Sequence, residues 1–173
     1  MKIKIILLTI ILFILPKVAF SASDIKYLDM NLLMNKSIAG MNILDKLKSE
    51  NKTNQNNFKK KEEAFKKEES DLIKQKNVLQ QIDFEKKVLN LREKISNYNK
   101  DKSKIIAKFK KKQLNAQSEL YKAINSILVK YADENSISII LKKESIIIGQ
   151  SDLDISQEIL DRLNTQVKNI NIN

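Results

Sequence analysis

MNILDKLKSENKTNQNNFKKKEEAFKKEESDLIKQKNVL, residues 41–79, contains no glycine and no proline, and the run lacking both continues to Ile148. Glycine and proline are the usual punctuation of turns and loops, so a gap this long points to uninterrupted helix. The filling of Lys, Glu, Gln, Asn, Leu and Ile is mostly acceptable to good helix formers. Large apolar residues recur seven apart at Leu44, Phe58, Phe65, Leu72 and Leu79, with Asn51 in the one polar slot. A second series runs Val88, Leu91, Ile95, Tyr98, Lys102, Ile105 and Phe109, mostly in alternating steps of three and four. That spacing is the seam of a coiled coil. Two long antiparallel helices are expected, forming an arm over residues 41–135.

The first helix, from about Ile43 to Leu79, would extend roughly 55 Å at 1.5 Å per residue. Its d-type positions Asn54, Lys61, Glu68 and Gln75 are polar, so one face meets the partner helix and the rest meets water. Lys59, Lys60, Lys61, Lys66 and Lys67 alternate with Glu62, Glu63, Glu68 and Glu69, a pattern expected of a solvated face with i,i+4 pairs. The turn is placed near 77–83, where Asn77, the pair Gln80-Gln81 and a potential N-cap at Asp83 coincide. The return helix covers about Phe84 to Glu134. Leu120, Ile124, Ile127, Leu128 and Tyr131 concentrate near its end, so burial is expected to increase away from the tip. Between Phe109 and Leu120 the seam weakens to Gln113 and Ala116.

The chain has 173 residues, with no cysteine and no histidine. Disulfides, thiol nucleophiles, zinc-finger ligand sets and imidazole bases are excluded. Only 6% of residues are aromatic while 31% are charged, a profile suited to an elongated helical protein. The net charge is +11, and Arg92 and Arg162 are the only arginines. Lysine is a hydrated point charge without the planar fork that reads phosphates and guanine edges, so no specific nucleic-acid partner is expected. Residues 41–135 hold 23 Lys+Arg against 14 Asp+Glu, which places the positive field on the arm.

At the amino terminus, Lys2 and Lys4 precede an apolar run from Ile5 to Leu15, then Pro16, then small residues around Ala19 to Ser23. This is the layout of a cleavable export signal over residues 1–21, with cleavage after Ser21 as the first choice and after Ser23 as the second. The run is shorter than the ~20 apolar residues that span a bilayer. Removing Lys2, Lys4 and Lys17 lowers the charge from +11 to +8.

Residues 22–40 and 136–173 are expected to form a β-rich head. Ile25 to Asp29 reads as a strand, and Met30 to Met34 as one or two helical turns. Gly40 costs a helix roughly 1 kcal/mol against Ala, so the arm is expected to bend or begin there. Ile137 to Leu141 and Ile146 to Ile148 read as a β-hairpin about Lys142 to Ser145, ended by Gly149, with Ile25 to Leu28 as a third strand. Ser156 is the expected N-cap of a last helix packing through Ile155, Ile159, Leu160 and Leu163. One helix covers one face of such a sheet. The uncovered face predicts self-association through Ile25, Tyr27, Leu28, Ile137, Ile139, Leu141 and Ile147. The fold class is therefore mainly α: a long antiparallel α-helical hairpin projecting from a small oligomerising β body. In the arm, Phe58, Phe65, Leu72, Tyr98 and Phe109 are seam residues by spacing and candidate contacts for a bound protein.

The ends of the chain resemble the Skp/OmpH family of periplasmic chaperones. The resemblance is carried by Ile25-Lys26-Tyr27-Leu28-Asp29-Met30, by the step from Ser37 to Gly40, and by Leu153-Asp154-Ile155-Ser156 with Leu163-Asn164. The arms match in length and pattern but in no distinctive motif. The resemblance implies a homotrimer whose helical hairpins extend around a cavity. It further implies an ATP-independent holdase in the periplasm that keeps unfolded outer-membrane β-barrel proteins from aggregating. No cofactor and no catalytic residue is implied, and some members touch lipopolysaccharide or anionic membrane through basic residues. An exported coiled-coil spacer or adaptor for a folded envelope partner accounts for the arms equally well, but not for the match at both ends. Against an enzyme stand the missing Gly-rich phosphate loop, nucleophile–base pair and metal-ligand spacing.

Overall fold

The computed structural model describes residues 24–172. The segment expected to be an export signal, with its expected cleavage site, lies outside them. Strand β1 (Asp24–Leu28) is followed by helix α1 (Met30–Lys36), the two arm helices α2 (Ile38–Lys74) and α3 (Gln81–Glu134), strand β2 (Ile137–Lys142), two single 3-10 turns and helix α4 (Ser156–Gln166). At 1.5 Å per residue, the 37 residues of α2 and 54 of α3 extend about 55 and 80 Å. The extra length of α3 is its last third, where Ala116, Leu120, Ile124, Ile127 and Tyr131 are buried. That third is the backbone of the head core.

The corner between α1 and α2 is set by Ser37. Asp29 caps α1 by accepting from the Leu32 N–H at 2.9 Å. Ser37, wholly buried, closes α1 through its N–H to the Leu33 carbonyl and caps α2 by accepting from the Gly40 N–H at 3.0 Å. Asn164 adds a second cap, accepting from the Ile38 N–H at 2.8 Å. The arm thus begins at Ile38, two residues before Gly40. A Cβ at Gly40 would lie 2.0 Å from the Met34 carbonyl oxygen. The glycine is there for close approach, not to end or bend a helix.

The sheet has two strands, β1 and β2, paired in parallel with Ile25 opposite Ile139 and Tyr27 opposite Leu141. Parallel neighbours need a long crossover, and here the crossover is the whole arm. The expected hairpin of Ile137–Leu141 with Ile146–Ile148 does not form. Lys143 to Ser145 make a 3-10 turn, and the chain is drawn back across β1. Lys143 pairs with Asp154 at 2.7 Å, the Tyr27 hydroxyl donates to the Gln150 carbonyl at 3.0 Å, and the Ile155 N–H donates to the Tyr27 carbonyl at 2.9 Å. Asp154 therefore bridges Tyr27, and β1 pairs with β2 without the expected Ile146–Ile148 strand. Ile147 and Ile148 are left 99% and 90% exposed.

Ile159, Leu160 and Leu163 of α4, with Ile155 just before it, are buried against α1 and α3, together with Leu28 and Leu33. Ser156 is the first residue of α4 instead of its N-cap. Its hydroxyl is taken up elsewhere, accepting from the Asp29 N–H at 2.8 Å and donating to Asp154. At the far end of α3, Tyr131 donates to Glu158 at 2.7 Å while Arg162 lies over its ring and pairs with Glu134 at 2.6 Å. Burial, together with the Glu158 bond, pushes the Tyr131 phenol up to about 12.

Candidate functional site

The arm is zipped by rungs that keep one antiparallel register. From root to tip, α2 supplies Glu50, Glu62, Glu68 and Gln75, and α3 supplies Lys112, Lys102, Lys94 and Lys87, at 2.7, 2.6, 2.7 and 3.1 Å. The lysine–glutamate blocks were expected to pair along their own helix. Only Lys59–Glu63 of those blocks does so, at 3.9 Å, whereas Glu62 and Glu68 reach across to α3. The register forces this, because the thin apolar seam leaves its flanking positions facing the other helix. Such exposed pairs contribute about 0.2–1 kcal/mol each and select register more than they stabilise.

Midway along the arm the seam becomes an aromatic and ionic clasp. The Phe65 and Tyr98 rings meet edge to face at 5.3 Å between centroids, and Lys102 lies 5.2 Å from the centre of the Phe58 ring. The Tyr98 hydroxyl reaches Glu62 at 3.0 Å. Hydrogen bonds from Lys102 and then Tyr98 hold the Glu62 carboxyl below its usual value, and Glu62 in turn holds the Lys102 ammonium up. Burial first, and then Glu62, raises the Tyr98 phenol. Beyond the clasp, Leu72 and Leu91 are buried. The chain turns at Gln75 to Gln80, two residues earlier than the expected 77–83, because Gln75 and Lys76 close the last turn of α2 onto Leu72 and Ile73. Asp83 falls inside the first turn of α3, and Gln80 precedes the helix with no side-chain cap.

The five arm candidates all lie between the helices. Leu72 is buried, Phe58, Phe65, Tyr98 and Phe109 are half-buried, and Phe109 also packs against the head cluster. The head candidates divide. Tyr27, Leu28 and Ile137 belong to the protomer's own core, while Ile25, Ile139, Leu141 and Ile147 face outward.

Sequence reasoning missed the apolar residues outside the seam. Ile106, Leu114, Tyr121 and Val129 are 42–57% exposed along α3, and Ile105, expected in the seam, is itself 41% exposed. Their spacing of seven and eight was the available signal, masked by the stronger seam series. Tyr121 and Val129 run into a groove of about 370 Å³ whose other wall is β2, including Ile139 and Leu141. At the opposite end Ile73, Val78, Ile82 and Leu89 are 62–83% exposed around the tip, beside an open cleft of about 830 Å³ bordered by Lys67, Lys86, Lys87 and Lys94. An apolar track thus leads from the head groove along α3, on an arm whose excess charge is lysine. Such a surface can hold apolar segments by many shallow contacts. Among the described residues no cluster of acidic side chains is placed to hold a metal, and no helix is long and apolar enough to cross a membrane.

A small α/β head carrying one long helical hairpin defines the class of protein. The profile of the family described as outer membrane protein (OmpH-like) matches residues 24–163, and the chain belongs to that family. A crystal structure of an OmpH-like protein from Caulobacter crescentus CB15, proposed to be an outer membrane chaperone, superposes with a TM-score of 0.80 at 15% identity. The match covers 87% of this chain and 89% of that one, so the two share the fold. No individually curated protein gives a significant match.

Proposed function

We propose that this protein is an ATP-independent holdase of the periplasm, reached through a cleavable export signal. It binds unfolded outer-membrane β-barrel proteins in a cavity between helical arms and keeps them from aggregating before membrane insertion. The observation that carries this reading is the exposed apolar track of Ile106, Leu114, Tyr121 and Val129 along α3. An unfolded barrel strand exposes alternating apolar side chains and unpaired backbone, both prone to aggregation. A shallow track engages many such segments weakly and reversibly. The lysine-rich arm favours encounter with acidic chains over a Debye length of about 8 Å at physiological salt. The same lysines suit contact with anionic membrane or lipopolysaccharide.

The working unit in this reading is a homotrimer joined through the head, where Ile25, Ile139, Leu141 and Ile147 are exposed on one small body. The test is light scattering of a denatured outer-membrane barrel protein diluted into buffer with the purified mature protein, followed by size-exclusion chromatography with multi-angle scattering. Suppressed aggregation with one client per trimer is the expected result. Unchanged aggregation beside a well-folded oligomer would overturn the holdase reading and favour an adaptor for a folded partner.

A further inference from the structure

Beyond α4 the chain does not trail into solvent. Val167 closes the helix by donating to the Leu163 carbonyl at 2.8 Å, and the following residues return along the root of the arm without regular secondary structure. Asn42 of α2 holds this tail by donating to the Lys168 carbonyl at 3.0 Å and to Asn169 Oδ1 at 3.1 Å. Ile170 is half-buried, Asn171 exposed and Ile172 buried, the in–out alternation of an extended strand. Ile172 joins the cluster that includes Leu47 of α2 and Ala116 of α3. Around it the tail borders Lys46 and Ser49 on one side and Asn115 and Ser118 on the other, so it straddles both arm helices. This is where the seam weakens to Ala116. The small side chain, wholly buried, leaves the room that the isoleucine takes. Shallow, open, mostly polar depressions flank the tail on either side.

We propose that the arm root is a peptide groove for short extended segments of alternating apolar and polar residues, and that the C-terminal tail occupies it in cis. The tail lacks regular secondary structure and is held by two isoleucines and one asparagine side chain, so a competing segment can displace it without unfolding the head. That the physiological competitor is an unfolded barrel strand rests on the holdase reading above. The occupied seat itself does not.

The experiment compares the full mature chain with a chain ending at Gln166, using fluorescence anisotropy of a labelled peptide with the sequence of residues 167–173. The expected result is binding to the shortened chain roughly tenfold or more tighter than to the full chain, the least that freeing an isoleucine seat should give. A peptide carrying Asn at both isoleucine positions should lose that gain. Ile172→Asp in the full chain unseats the tail without shortening it and should reproduce the gain, which keeps the test decisive if the shortened chain does not fold. Equal peptide binding by the full chain and by variants of intact helicity would overturn the proposal. Loss of folding in both variants would overturn it as well, because the tail would then be fixed core. No client is present in this assay, so its failure is separate from a failure to suppress aggregation.

Discussion

Gly40→Ala offers a test in which local propensity and tertiary structure predict opposite signs. Position 40 lies in the first turn of α2, and in an exposed helix alanine would be favoured over glycine by roughly 1 kcal/mol. Here the added Cβ would stand 2.0 Å from the Met34 carbonyl oxygen and 2.9 Å from its carbon, which are backbone atoms and cannot swing aside. Relief requires α1 to move away from α2. Ser37 joins the two helices, and moving them apart breaks its cap on Gly40, a contact costing about 0.5–2 kcal/mol to lose. It also strains the Ser37–Leu33 backbone bond at 3.3 Å, worth about 0.5–1.5 kcal/mol net. Leu33, wholly buried, is partly unseated by the same motion, at about 1–2 kcal/mol for a fraction of its burial. Set against the propensity gain, the net change is about 1–4 kcal/mol of destabilisation. Urea unfolding followed by helical circular dichroism, at one fixed protein concentration, would read this as a lower midpoint at unchanged slope. Ala39→Gly, at the neighbouring buried position, serves as the ordinary comparison and should lose about 1 kcal/mol. A Gly40→Ala protein as stable as the parent would refute the tight α1–α2 corner.

Two further outcomes are expected. Ile124→Ala, at a wholly buried site in the middle of the head core, should cost about 2–5 kcal/mol in thermal unfolding while leaving the arm helical. Burial alone would raise the pKa of Asp154, but Lys143 and the hydroxyl and N–H of Ser156 outweigh it and hold the carboxyl below the ordinary 3.8. The stability that ionised Asp154 contributes is therefore complete above that value and lost as pH falls through the lower folded one. Asp154→Asn should be less stable than the parent at neutral pH, with the gap closing in acid melts. A gap independent of pH would argue against an ionic tie to Lys143.

The arm was legible because helical hydrogen bonds join residues four apart, and such short-range order is written in the local sequence. The run from Met41 to Ile148 without glycine or proline, and the sevenfold spacing through Phe58, Phe65 and Leu72, specify two helices and the side on which they meet. The ends of the chain were distinctive enough to mark the family. The strand contacts were not legible, because a strand's partner is chosen across the whole fold. Ile146 to Ile148 are as β-branched as Ile137 to Ile140, yet Lys143 and Tyr27 pull the intervening chain toward Asp154 and Gln150 and leave Ile147 in solvent. Pairing within the lysine–glutamate blocks likewise depended on the register of the hairpin, which no single helix contains. Nor could spacing show that Ala116 is small because Ile172, more than fifty residues later, returns to the same place. Sequence alone thus determined the helices, their seam and the charge they carry. Tertiary structure decided which residues the protomer keeps for its core and which it leaves exposed, because burial is a property of every element packed around a side chain.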